Sequence, residues 1–333
     1  MISLFRDKSI IAIFSLVIVS LLVHLHIFFI PVHIDINLNS GVLSWLFQNY
    51  LLKLHPAALS VFYILLLMVQ AIRINMILND SKMFGKMGFT TAFAVVLLSG
   101  LFTNAYSFSP AFITNSFVIW VFVSVIKLYN NPSPKALLFN VGFIASTSVI
   151  LYQPALFLIA GLLFALSILR SFKPTEWLIL IIGIVAPIYL FVSGLFLADK
   201  MTLLLKLVPQ FQFHFLVIKD PWFWSNVSTL FLLLIAGLFV WYPNSNRMVI
   251  QIRKNWVVML IFFILSLIGV LIFTSKSYFP EVLCIIPMAA FVSNFFLYPQ
   301  RKILINLMLI IAAVMIVYNN MQVMQMFVTA SGN

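Results

Sequence analysis

Charged and turn-forming residues cut this chain into about eleven long apolar runs, at 10–30, 57–79, 87–104, 111–129, 137–152, 154–170, 176–198, 223–241, 255–274, 281–297 and 303–320. A helix rises about 1.5 Å per residue, so a run of about 20 residues reaches across a hydrocarbon layer about 30 Å thick. Inside such a layer every backbone N–H and C=O must pair within the chain, and a helix achieves this alone. The sequence therefore predicts an all-α, polytopic transmembrane protein of about eleven spans. Only 8% of residues are charged and 64% are hydrophobic, where a soluble domain carries about 25% charge. Residues 1–333 read as a single integral membrane domain with two longer outer segments, 31–56 and 199–222. The fifth and sixth runs are short and meet at Tyr152-Gln153-Pro154, which reads either as a break between two helices or as one kinked element.

Positive charge tests this scheme independently. With the N-terminus in the cytoplasm, 14 of the 19 Lys and Arg fall on the inner side; the exceptions are Lys53, Lys200, Lys206, Lys219 and Lys276. An odd number of spans then places the C-terminus outside. Asp7, Asp80 and Glu176 lie inside, so the inner face nets +11, a surface that attracts anionic headgroups at about 1 kcal/mol per basic side chain. The formal charge of +12 is scattered between apolar runs and forms no basic stripe, so no nucleic-acid partner is expected. The basic lead of Arg6 and Lys8 resembles a signal peptide, but the apolar run is too long and no A-x-A site follows, which predicts a retained first span.

Several classes of function are excluded or weakened. No inner segment exceeds about 13 residues, and no Walker motif or G-x-G-x-x-G is present, so the chain holds no nucleotide-binding domain. The single Cys284 excludes an intramolecular disulfide and a cysteine metal cluster. His24 and His26, spaced by two on a continuous helix, would point about 200° apart, so they read as separate hydrogen-bonding groups and no metal is expected. Carboxylates at mid-membrane depth are absent, which weakens a proton-coupled transporter.

Candidate chemistry lies in the outer segments. In the first, Asn39 or Ser40 is placed to cap an interfacial helix starting at Gly41, with Gly41, Ser44, Gln48 and His55 on one stripe and Trp45, Leu46, Leu52 and Leu54 covering much of the rest. Asp35 is the only carboxylate close after the first span and is the candidate general base, with His33 or His55 tuning it; a solvated loop acid is the competing reading. In the second segment Lys200, Lys206, His214 and Lys219 are candidates for holding the phosphate of a lipid-linked donor, against a loop lying flat with its lysines at headgroups. No cofactor is implied.

The order Leu169-Arg170-Ser171-Phe172-Lys173-Pro174-Thr175-Glu176-Trp177, then Ile286-Pro287-Met288-Ala289-Ala290 before Asn294-Phe295-Phe296, then Gln300-Arg301-Lys302 leading to Tyr318-Asn319-Asn320, resembles an uncharacterised Bacteroidota family of polytopic inner-membrane proteins. That family is similar in span order to the GT-C class of membrane glycosyltransferases, which use a polyprenyl-phosphate sugar and often place an acidic base just after the first span. The resemblance implies a bacterial inner-membrane location and, at the matching position, Asp35 as that base. Many GT-C enzymes have a pair of acids where this chain has one, and no large outer soluble domain follows. Three readings stay open: a glycosyltransferase acting at the outer face, a non-catalytic membrane subunit docking an envelope protein, and a lipid or small-solute transporter. Membrane lipids are partners in all three.

Overall fold

The computed structural model describes residues 2–30, 32, 34, 40–102, 106–202, 204, 221–273, 280–298 and 302–331. Among these lie twelve α-helices: α1 (Ile10–Val23), α2 (Val42–Asn49), α3 (Pro56–Asp80), α4 (Thr90–Leu101), α5 (Pro110–Ile126) and α6 (Lys135–Leu151), then α7 (Phe157–Leu169), α8 (Pro174–Leu197), α9 (Pro221–Ser245), α10 (Ile250–Phe273), α11 (Ile285–Leu297) and α12 (Lys302–Ser331). Eleven fall on the eleven apolar runs and α2 occupies the first outer segment. The chain is all-α, as the runs predict. Extended pairing among the described residues is limited to one bridge, Ile34 to Phe108.

Helix starts follow local chemistry. Proline at the first position costs no hydrogen bond, and it opens α3, α5 and α8. Ser109 accepts from the Phe112 N–H to cap α5, and Ser9 caps α1 in the same way from Ala12. The break at Tyr152-Gln153-Pro154 is real: a 3-10 turn, Gln153–Leu156, separates α6 from α7.

Five helices, α3, α8, α9, α10 and α12, are long and apolar enough to cross a membrane, and the other apolar helices are shorter. Two of the short ones, α4 and α11, have every residue buried. At about 1.5 Å per residue, twelve residues reach only about 18 Å, so α4 is an interior post whose neighbours supply its surroundings. At the other extreme α8 buries only Glu176, Leu180, Gly183 and Pro187, a stripe at helical spacing. That stripe meets α6 through two glycines. A Cβ on Gly183 would lie 2.5 Å from the Phe139 carbonyl oxygen, and one on Gly142 would lie 2.8 Å from that of Leu180. Small residues allow this approach, the usual way helices associate where lipid removes the hydrophobic drive. The rest of α8 exposes Leu178, Ile182, Tyr189 and Leu190, an apolar face suited to lipid contact.

The segments that charge placed on one side are tied together at one end of the bundle. Arg6 Nε donates to the Phe296 carbonyl at 2.9 Å, Lys86 pairs with Asp7 at 2.7 Å, and the Gly85 N–H donates to the Tyr298 hydroxyl at 2.7 Å. Trp256 Nε1 donates to the Met83 carbonyl at 3.1 Å, and Lys254 sits 5.3 Å from the centre of the Tyr129 ring. Arg170 completes the set: it binds both Glu176 oxygens, at 2.7 and 2.9 Å, and the carbonyls of Leu128 and Asn131, at 2.8 and 2.9 Å. Five donor hydrogens fixed in a plane suit this four-way grip in a way a lysine does not.

Candidate functional site

The described parts of the segment 31–56 are held against the opposite end of the bundle. Ile34 bridges to Phe108, and the Val32 N–H points to Ser60 Oγ at 3.4 Å. On the far side of the segment, the Ser40 carbonyl accepts from the Gln153 N–H at 2.7 Å. Gly41 packs on the backbone of Leu151 and Tyr152 with φ of 143°, a conformation that a side chain would strain. Asp35 and His33 lie outside the described residues, as do Lys206, His214 and Lys219. The flanks of Asp35 are nevertheless fixed at two points on the helical body.

The helix expected from Gly41 forms, with corrections. It runs from Val42 and takes Gly41 as its cap residue without a side-chain bond. The Ser40 hydroxyl is instead hydrogen-bonded to that of Ser44. Leu43, Ser44 and Phe47 are buried, Phe47 stacking on Phe108, while Trp45, Gln48 and Tyr50 are exposed. The buried face is thus set by Leu43, Ser44 and Phe47 and leaves Gln48 outside it, and the 3-10 turn Leu51–Lys53 breaks the periodicity that would have carried the stripe on to His55. His55 is exposed and caps α3, its Nδ1 accepting from the Ala57 N–H at 3.3 Å. Lys200 is exposed beyond the end of α8.

The densest polar constellation among the described residues lies where α1 ends. Continuous helix through His24 and His26 was expected, and this is corrected: α1 stops at Val23, and a 3-10 turn covers Leu25–Phe28. Asn320, from α12, stands at the break. Its Nδ2 donates to the Val23 carbonyl at 2.9 Å and its Oδ1 accepts from the His26 N–H at 2.9 Å, so it serves both an orphan acceptor and an orphan donor of the helix end. The unwound turn brings the two imidazoles within 6.1 Å, centre to centre. Both are buried.

Proton positions follow from the partners. The Ser20 carbonyl can only accept, so His24 Nδ1 carries a hydrogen and donates to it at 3.1 Å. His24 Nε2 is then an acceptor, 3.4 Å from Ser99 Oγ, whose single proton also has the Val96 carbonyl within 2.8 Å. His26 Nδ1 donates to Asn320 Oδ1 at 2.8 Å, which leaves its buried Nε2 as an acceptor with no hydrogen-bond partner. Tyr106 stacks on the His26 ring at 4.4 Å and donates to the Gly100 carbonyl at 2.7 Å. Asn319 donates to the same carbonyl at 3.2 Å and exchanges two hydrogen bonds with Asn226 of α9, at 2.9 and 3.0 Å. Among the described residues no three His, Cys, Asp or Glu side chains gather as a metal site would require.

Sequence reasoning singled out His24 and His26 but missed Tyr106, Asn226, Asn319 and Asn320 as their company. The signal available was the pair of adjacent asparagines inside an apolar run, since polar side chains in lipid are costly unless they face protein.

The arrangement offers a segment anchored at Ile34 and Ser40 and a set of neutral hydrogen-bonding groups that link α1, α4, α9 and α12. No curated protein and no solved structure matches the chain. A family of unknown function, DUF6427, matches residues 21–327, from within α1 to within α12. That stretch takes in the segments 31–56 and 199–222, the interior posts and the asparagine pair, and the chain belongs to this family.

Proposed function

We propose that this protein is an inner-membrane glycosyltransferase that moves a sugar from a polyprenyl phosphate to an acceptor hydroxyl at the outer face, with the N-terminus in the cytoplasm and the C-terminus in the periplasm. Asp35 takes the acceptor proton as the acceptor oxygen attacks the anomeric carbon. The bond from that carbon to the phosphate oxygen breaks with inversion, and polyprenyl phosphate leaves with the electron pair. Lys200, Lys206 and Lys219, with His214, neutralise that phosphate.

The observation that supports this reading is the double anchorage of the first outer segment. A base must be held within hydrogen-bond reach of the proton it removes, and a segment pinned at Ile34 and Ser40 suits that need better than one attached only by its ends. The exposed Trp45, Tyr50, Leu52 and Leu54 suit a wall at interface depth.

A second reading, a non-catalytic membrane subunit, is favoured by a different observation. The Asn226–Asn319 pair and the Asn320–His26 pair spend their amide groups on each other and on backbone, which stiffens the body. Release of polyprenyl phosphate from a polyprenyl-phosphate hexose carrying a radiolabelled sugar, in membranes containing the chain, separates the two. Transferase membranes release it and Asp35→Asn membranes do not, at equal protein level; equal release from both removes the base, and no release from either leaves the subunit.

A further inference from the structure

Gln153 is the least accounted-for polar side chain near the anchored segment. It is 2% exposed, and neither its Nε2 nor its Oε1 has a hydrogen-bond partner. A buried amide with nothing to bond costs about 1–3 kcal/mol per orphan group, and more in surroundings that exclude water. Leucine or methionine at this place would carry no such penalty. The position is also structurally distinctive: Gln153 opens the 3-10 turn between α6 and α7, and its backbone N–H binds the Ser40 carbonyl of the segment that carries Asp35.

We infer that the Gln153 carboxamide, on the residue whose backbone N–H holds the Ser40 carbonyl, binds the hydroxyl groups of the donor sugar. A carboxamide presents two N–H donors and an acceptor oxygen side by side, a match for neighbouring sugar hydroxyls, which both donate and accept. Phosphate would use only the donors, and an isoprenoid chain would use neither. A site built to hydrogen-bond a hydroxyl also rejects a ligand lacking one, because its own polar groups then stay unpaired. This inference rests on the transferase reading and adds the residue that recognises the sugar.

The test compares two lipids on the purified full-length protein in nanodiscs: a polyprenyl-phosphate hexose and the same polyprenyl phosphate without sugar. The wild-type chain is expected to bind the sugar-bearing lipid at least tenfold more tightly. Gln153→Leu and Gln153→Met erase that preference while leaving the unfolding midpoint unchanged or raised, since each replaces an unpaired buried amide by an apolar group of similar size. A preference that survives in both variants, or equal binding of the two lipids by the wild type, overturns the inference. Destabilisation of both variants with the preference intact assigns Gln153 to a buried water and overturns it equally. The transferase reading is judged separately by Asp35→Asn turnover, so either can fail while the other stands.

Discussion

His26 and Asn320, 294 positions apart in sequence, are joined twice: the backbone N–H and the ring Nδ1 of His26 both donate to Asn320 Oδ1, at 2.9 and 2.8 Å. The same asparagine donates to the carbonyls of Val23 and Ile316. A single side chain of α12 thus closes the end of α1 and orients the imidazole that follows.

Asn320→Leu removes these four bonds together. Three of them cross from α12 to the end of α1, and hydrogen bonds between membrane helices average about 0.6 kcal/mol each, so the expected loss is about 2 kcal/mol. Thermal unfolding in detergent reads it. A midpoint equal to the wild type would show that the helix end does not depend on this residue.

Arg170→Lys should be far from neutral. The buried Glu176 carboxylate keeps cationic neighbours in the new lysine and in Lys173, 4.0 Å away, but loses the paired contact, and the Leu128 and Asn131 carbonyls lose their donor. Breaking such a buried pair costs about 3–5 kcal/mol when one partner is deleted, so Arg170→Ala should fall in that range and Arg170→Lys should recover only part. Expression level and unfolding midpoint measure both, and full recovery by lysine would refute the four-way grip.

The α6–α8 contact depends on the absence of side chains. Gly183→Val places branched atoms where the Phe139 carbonyl lies, and overpacking of this kind costs about 1–3 kcal/mol. The unfolding midpoint in detergent reads it, with Gly183→Ala expected to cost less than Gly183→Val, and a midpoint unchanged in both would remove the proposed close approach.

His55 should behave as a helix cap. His55→Ala is expected to cost about 0.5–1 kcal/mol and His55→Asn to restore it, because asparagine caps helices well. If His55→Ala instead abolishes sugar transfer at unchanged stability, the residue acts on Asp35.

Sidedness is open to direct labelling, helped by the burial of the one native cysteine, Cys284. Tyr50→Cys and Lys135→Cys put thiols at exposed positions on the two sides assigned by charge. A membrane-impermeant maleimide applied to intact cells should label the first and spare the second. The reverse pattern would place the first outer segment in the cytoplasm and end the transferase scheme.

Much of the fold was legible in the sequence. Each apolar run became a helix because lipid leaves the backbone no other partner, and the break at Tyr152-Gln153-Pro154 followed from a proline that cannot continue the ladder. The α2 helix was visible as an amphipathic stretch, though its first residue and its inward face were not, since these depend on Leu151 and Phe108. The candidate site was legible only in part. Periodicity treats His24 and His26 as two points on one cylinder; Pro31 marks an end five residues past His26, and nothing local moves that end back to Val23.

The sequence by itself determined the solvent, the secondary structure and the grouping of basic segments, because these depend on local hydropathy and local charge. Tertiary structure decided where α1 stops, which short helices become interior posts, and which polar side chains meet. Those outcomes depend on orphan backbone groups at helix ends finding partners, and the partners that satisfy them, such as Asn320 for Val23 and His26, come from parts of the chain that no local pattern connects.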